Sequence, residues 1–331
     1  MGVTRQESGA EQADIYRSYR RSLLAKDELA LLTRLRPWRP MVEIVVLWAQ
    51  VAAALAAVAI WTRWWVVAAA IVIVGTRYYA LFIIGHDGMH RRLLRSASAN
   101  DLLCDLLILG PIGAISRINK RNHLAHHRHL ATEHDPDRYK HACFNKSSRF
   151  EYLMFLTGFS SFVPVVRNVF FRRERRQPRS TSAADRYRVR DLVILVGWQV
   201  LLIGGLSWGI GWWAYPVLWI LPVYLHTYLG DLVRSFLEHS HPEADQRADE
   251  HRLVTYASNP LERAFFAPKN MNYHATHHLW PAIPYYNLPR ADKLIRGRDE
   301  AAGLVWRGSY VGYVLRYYFA LPLAQCRPRK A

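Results

Sequence analysis

Residues 192–230, LVILVGWQVLLIGGLSWGIGWWAYPVLWILPVYLHTYLG, contain no Asp, Glu, Lys or Arg. At about 20 residues for each crossing, a charge-free run of this length is enough for two passes through a bilayer. The interruption GIGWW at 209–213 is the expected turn between them. The same arrangement occurs earlier, where IVVLWAQVAAALAAVAI (44–60) and WVVAAAIVIVGTRYYALFIIG (65–85) flank the short connection WTRW. The sequence therefore predicts an all-α integral membrane protein with four transmembrane helices in two hairpins, over about 41–60, 65–85, 192–210 and 213–235. The first span begins far from the N-terminus and is followed at once by another, unlike a cleaved signal peptide.

The rest of the chain carries the charge that brings the net value to +18. The arm 1–40 and the segment 86–191, including RRERRQPR at 172–179, are dense in Arg, whereas the turns inside the hairpins hold only Arg63. Lys and Arg near span ends favour the cytoplasmic side. Both termini and a helical cap made of 86–191 and 236–331 are therefore expected in the cytoplasm, the arm 1–40 preceding a single membrane domain at 41–331. Positive loops against an anionic leaflet account for the charge without nucleic acid as a partner. Cys104, Cys143 and Cys326 are isolated and offer neither a disulfide framework nor a zinc pattern. Only MGVTRQESGAEQAD at the N-terminus is polar enough to be expected disordered. The apolar segments 102–114 and 152–171 are expected either in the membrane interface or packed over the cap. A crossing by the second of these would put the histidine clusters on opposite sides of the membrane.

Those clusters are the chemical signal. His86 and His90, in HDGMH, are spaced i, i+4 and project from one face if the second helix runs on past the bilayer. His123, His126 and His127 occupy i, i+3 and i+4 in NHLAHHRHL, and His274, His277 and His278 repeat that spacing in NYHATHHLWP. His239, in RSFLEH, follows the fourth span to the same boundary. Neutral imidazole is a preferred ligand of iron, zinc, copper and nickel, and eight or nine such nitrogens suit two ions better than one. A structural zinc site fits less well, since it closes with four ligands and favours Cys. His129, His134, His141, His241 and His251 fall on polar stretches and are left unassigned. His226 lies inside the fourth span, where it either forms a polar set with Asp231 and Arg234 or contacts Arg77 of the second span.

Over residues 40–290 the sequence resembles the integral-membrane fatty acid desaturase and hydroxylase superfamily, defined by three histidine boxes around a di-iron centre. The motifs that carry the resemblance are HDxxH at 86–90, HxxHH at 123–127 followed by DPDRY at 135–139, and NYHATHHLWPAIPYYNLP at 272–289. The resemblance implies four spanning helices under a cytoplasmic cap, with two iron ions held by His86, His90, His123, His126, His127, His239, His274, His277 and His278. Ser235 stands where many members have an Asn that contacts iron through water, and Thr276 replaces a common acidic residue or Gln. Asp87 and Glu238, each next to a proposed ligand, are candidates to accept ligand ring N–H groups, although Glu238 is also spaced to pair with Arg234.

Breaking an unactivated C–H bond is beyond protein side chains, so a redox metal and dioxygen must supply it. The resemblance implies an O2-dependent fatty acyl or lipid desaturase acting on a membrane lipid or acyl substrate, in an inner membrane of bacterial type. A di-iron hydroxylase or ketolase of a lipid, carotenoid, alkane or small amphiphile is the enzyme alternative, and a metal-binding membrane protein or transporter the other. A transporter should show polar residues through several spans, and the first and third spans are almost wholly apolar. HPEAD at 241–245 lacks the Gly pair of a fused cytochrome domain, so electrons are expected from a separate ferredoxin or cytochrome-type donor with its reductase, docking on the basic cap.

Overall fold

The structure, a computed structural model, describes residues 17–130, 135–137, 140, 147–160, 188–239 and 253–322. Helices α1 (Arg17–Ser22) and α2 (Lys26–Leu32) precede a first long hairpin, α3 (Trp38–Ile60) and α4 (Trp64–Met89). Then come α5 (Ala97–Cys104), α6 (Ser116–His129), α7 (Arg149–Leu156), α8 (Val189–Gly209) and α9 (Leu229–His239). The chain ends in α10 (Pro260–Phe266), α11 (His274–Leu279), α12 (Leu288–Arg296) and α13 (Tyr310–Ala320). Among the described residues the one departure from helix is a parallel pair of three-residue strands, β1 (Val254–Tyr256) and β2 (Val305–Arg307), in register Val254 to Val305.

Four helices are long and apolar enough to cross a membrane: Trp38–Ile60, Trp64–Met89, Val189–Gly209 and Pro216–His239. The second and fourth outrun the expected spans, to Met89 and His239, and these extensions carry His86 and His239 toward the cap. Trp61, Trp64, Trp65, Trp208 and Trp212 are exposed around the two hairpin turns, the position that amphipathic indoles prefer where a bilayer meets water. Enclosure differs among the four. In its most apolar window the second helix is 56% buried and the third 17%, so the second is the axis of the bundle and the third its outer wall. The exposed Val193, Val196, Val200 and Leu201 on the third form the apolar face that such a wall offers to lipid.

The segment 102–114 does not lie flat in the interface. After α5 it continues as a π-helical turn (Asp105–Leu109) and a 3-10 turn (Gly110–Ile112) pushed between the spans. Irregular backbone at that depth needs internal partners for its carbonyls, and each span supplies one. Trp48 Nε1 of the first donates to Leu107 O at 2.9 Å, and the Tyr78 hydroxyl of the second donates to Ile108 O. Trp198 Nε1 of the third reaches Leu106 O at 2.8 Å and Trp219 Nε1 of the fourth reaches Pro111 O at 3.1 Å. The rings stack as they do so, Trp48 lying 5.8 Å from Trp198 and 6.0 Å from Trp219. Below this clasp Asp105 accepts from Ser116 N at 2.7 Å and Arg190 at 2.7 Å, while Asp191 accepts from Arg117 at 2.8 Å. These bonds fasten the start of the third span to α6.

Of the segment 152–171, Tyr152 and Phe155 on α7 are buried against Phe236 and belong to the cap, whereas 161–171 lie outside the described residues. Also outside are MGVTRQESGAEQAD, RRERRQPR, HPEAD, Cys143, Cys326, His134, His141, His241 and His251. Cys104 is a buried free thiol.

Candidate metal centre

Four elements bring histidine to one place between spans and cap: the end of α4, α6, the end of α9, and α11. All nine singled-out residues arrive there, as two groups within each of which the ligand atoms lie within 4.8 Å of one another. His86, His90, His123, His127 and His277 make the first group, and His126, His239, His274 and His278 the second.

The division follows from helix geometry. At 100° per residue, i+4 falls about 40° from i on one side and i+3 about 60° on the other, so i and i+4 share a target that i+3 misses. On α6 the i, i+4 pair, His123 and His127, joins the five-membered group and His126 the four-membered one. On α11 the assignment is reversed, His274 and His278 joining the four and His277 the five. The two helices thus contribute to both groups in opposite sense, while α4 serves only the first and α9 only the second.

Within each group one imidazole nitrogen faces two others. His123 Nε2 lies 2.8 Å from His90 Nε2 and 3.1 Å from His127 Nε2. His274 Nε2 lies 3.0 Å from His239 Nε2 and 2.9 Å from His278 Nε2. Two nitrogens bound at right angles to one ion, each about 2.1 Å from it, sit about 3 Å apart. A single ring nitrogen cannot satisfy two like neighbours with one proton or one lone pair. His277 is fully buried, and among the described residues neither of its ring nitrogens has a hydrogen-bond partner; nor has His86 Nδ1. Burial holds His90 down at about 3, with Arg92 and Lys120 adding to the effect. Burial and then the neighbouring cationic or imidazole groups keep His123, His127, His274, His277 and His278 well below the usual value. The rings are therefore neutral at pH 7, the form that binds a metal ion. Imidazoles that converge in two sets in this way fit a pair of ions.

The outer contacts differ from expectation in two places. Asp87 accepts the Tyr285 N–H at 2.6 Å and touches no histidine ring among the described residues. Glu238 does reach the site, lying 3.7 Å from His274 Nε2 while accepting from Arg234 at 2.7 Å and the Tyr310 hydroxyl at 2.6 Å. A third carboxylate, not singled out from the sequence, is better placed than either: Asp135 meets His126 Nδ1 at 3.0 and 3.1 Å, which fixes that ring with Nε2 turned inward. Its signal was the DPDRY that follows the second run, nine residues beyond His126. His226 joins neither Arg77 nor Asp231. Its Nδ1 meets Pro222 O at 3.2 Å, and its ring fills the space over Gly75, where a Cβ would come within 2.0 Å. Arg234 bonds Asp231 at 2.8 Å as well as Glu238. A cavity of about 260 Å³ opens on both groups, walled by Phe82, Met89, Asn119, Asn122, Lys140 and Ser235.

Residues 62–310 match the fatty acid desaturase family. The chain belongs to that family. Three relatives span its chemistry. The sn-1 acyl-lipid omega-3 desaturase (ferredoxin) of Nostoc sp. (strain 36) is 24% identical over 240 residues, 67% of this chain and 65% of the relative. The dihydrorhizobitoxine desaturase of Bradyrhizobium elkanii is 28% identical over 280 residues, 75% of this chain and 73% of the relative. A beta-carotene ketolase of Paracoccus sp. (strain N81106 / MBIC 01143) is 25% identical over 210 residues, 63% and 72%. The chain thus spans slightly under two thirds of the Nostoc protein. The three relatives are named as two desaturases and a ketolase.

Proposed function

We propose that this family member is an O2-dependent di-iron desaturase of a membrane lipid or fatty acyl chain. One iron would be held by His86, His90, His123, His127 and His277, the other by His126, His239, His274 and His278. The observation that carries the reading is the pair of converging neutral imidazole groups within a desaturase-family chain. Two irons and dioxygen supply the oxidising power to break an unactivated C–H bond.

The protein's own part is placement and insulation. Imidazoles that stay neutral are ready to bind without first losing a proton. Asp135 holds the Nδ1 side of His126, and on the Nδ1 side of His274 stands Arg234, at 3.3 Å, itself held by Glu238 at 2.7 Å. Phe82 and Met89 give the cavity an apolar wall on the side of the second span, where an acyl chain would lie, while Asn119, Asn122 and Ser235 offer polar contacts opposite. In the Nostoc relative's printed name the donor is ferredoxin. For this chain the reading is a separate ferredoxin or cytochrome-type donor with its reductase, docking on the basic cytoplasmic face of a protein of bacterial inner-membrane type.

Similarity to a beta-carotene ketolase supports a second reading, oxygen insertion into a lipid or carotenoid. Iron per chain and product mass test both. About two irons per chain, with a product lighter by two hydrogens, is the expected result. A product heavier by one oxygen favours hydroxylase chemistry, one that gains an oxygen and loses two hydrogens favours ketolase chemistry, and zinc without iron overturns the di-iron reading.

A further inference from the structure

Arg77 is a cation in the middle of the most enclosed span. It stands thirteen residues beyond Trp64, the start of α4, or about 20 Å along a helix, some two thirds of the way through a hydrocarbon layer of about 30 Å. A charge at that depth needs a counter-charge or water, and ionisable groups in such positions mark function more often than accident. None of the described acidic residues pairs with it. Instead it lines a cavity of about 310 Å³ between α4 and α10, opposite a second guanidinium, Arg263, that likewise has no acidic partner among the described residues. Lys269 adjoins them, its own charge taken by Glu43 at 2.6 Å. The remaining wall is mostly small and apolar, Leu47, Ala80 and Ala264 among it, with Thr76 and Asn270 adding polar groups. No residue of this wall also lines the cavity over the metal groups.

Two half-buried guanidiniums facing one cavity repel each other unless an anion sits between them. Their planar forks match a phosphodiester, each able to donate two parallel hydrogen bonds. Arg263 and Lys269 stand on the cap side of the cavity and the long Arg77 side chain snorkels toward them, so the guanidiniums meet the headgroup phosphates of that leaflet while acyl chains lie along the exposed face of the first span. We propose that this cavity binds the phosphate of an anionic phospholipid from the leaflet on the histidine side, a lipid that is bound rather than desaturated.

The test compares wild type, Arg263→Gln, Arg77→Gln and Arg290→Gln. Arg290 is exposed on α12 and serves as a control for lost charge. Each full-length protein is placed in phosphatidylcholine nanodiscs doped with phosphatidylglycerol, and native mass spectrometry reads the lipid that survives transfer. Wild type and Arg290→Gln should retain phosphatidylglycerol over phosphatidylcholine, and Arg263→Gln should retain it about fivefold less. Arg77→Gln should behave as Arg263→Gln; if it does not fold, Arg263→Gln, changed on a half-exposed cap helix, decides alone. Equal retention by Arg263→Gln and wild type overturns the proposal, as does the absence of any phosphatidylglycerol preference in wild type. Full displacement by millimolar inorganic phosphate overturns it too, since the site would then take free anions rather than lipid.

Discussion

Five imidazoles meet beside the end of the second span and four beside the end of the fourth, and the smaller group is the one with carboxylates behind it. Asp135 holds His126 directly and Glu238 acts on His274 through Arg234, 3.3 Å from its Nδ1, whereas no carboxylate touches a ring of the larger group among the described residues. One group is thus rich in ligands and lightly braced, the other sparing in ligands and firmly braced. The braced group has the fewer nitrogens, and Ser235 lines the cavity that opens on both groups. The same two helices feed both groups, so the difference arises from what surrounds α4 and α9 rather than from the histidine spacing itself.

The sharpest way to break this comparison is to remove one ligand from each group. His277→Ala should empty the larger group and His274→Ala the smaller, each lowering iron from about two to about one per chain. Activity should fall by more than about a hundredfold in both, beyond what outer contacts usually carry. If either variant lost all its iron, the groups would be one cooperative centre rather than two. Next in size are the braces. Asp135→Asn and Glu238→Gln should each weaken metal binding by about ten- to a hundredfold, confined to the smaller group. A chelator titration of wild type should then show two phases, the unbraced group releasing its iron at a roughly tenfold lower chelator concentration. In His277→Ala that early phase should be missing. Smallest in its effect on metal is Asp87→Ala: iron should stay near two per chain, while thermal unfolding shows a loss of about 1–3 kcal/mol from the unpaired Tyr285 N–H.

Much of this architecture can be read along the chain because the bilayer imposes simple conditions. Apolar runs of sufficient length marked the spans, with Arg77 the one charge inside 65–85, and the lack of acid and base in 192–230 left no other reading. The nine histidines were legible for a similar reason, since so many imidazoles at repeated helical spacing have few other uses. Their sorting into five and four was not, because a triplet of i, i+3 and i+4 spans about 100° and faces two targets until the partner helices are in place. Asp135 was not legible because a spacing of nine residues from its histidine matches no helical repeat that would bring the two together. The segment 105–112 reads as ordinary apolar helix, and its π and 3-10 turns are matched by donors that lie far away in sequence, on Trp48, Tyr78, Trp198 and Trp219. Three-residue strands such as β1 and β2 are too short to leave a pattern at all.

That four-donor clasp also sets an order of assembly. When the first hairpin leaves the ribosome, Trp48 and Tyr78 have polar groups in hydrocarbon and nothing to bond. Synthesis of residues 105–112 gives them acceptors, but leaves the carbonyls of Leu106 and Pro111 waiting for indoles that are made almost a hundred residues later. The membrane must therefore shelter a half-closed intermediate until the second hairpin arrives, and the metal groups, which draw ligands from both hairpins, can form only after that closure. On the di-iron reading proposed above, metal loading follows the insertion of both hairpins and of the two tryptophans on the second.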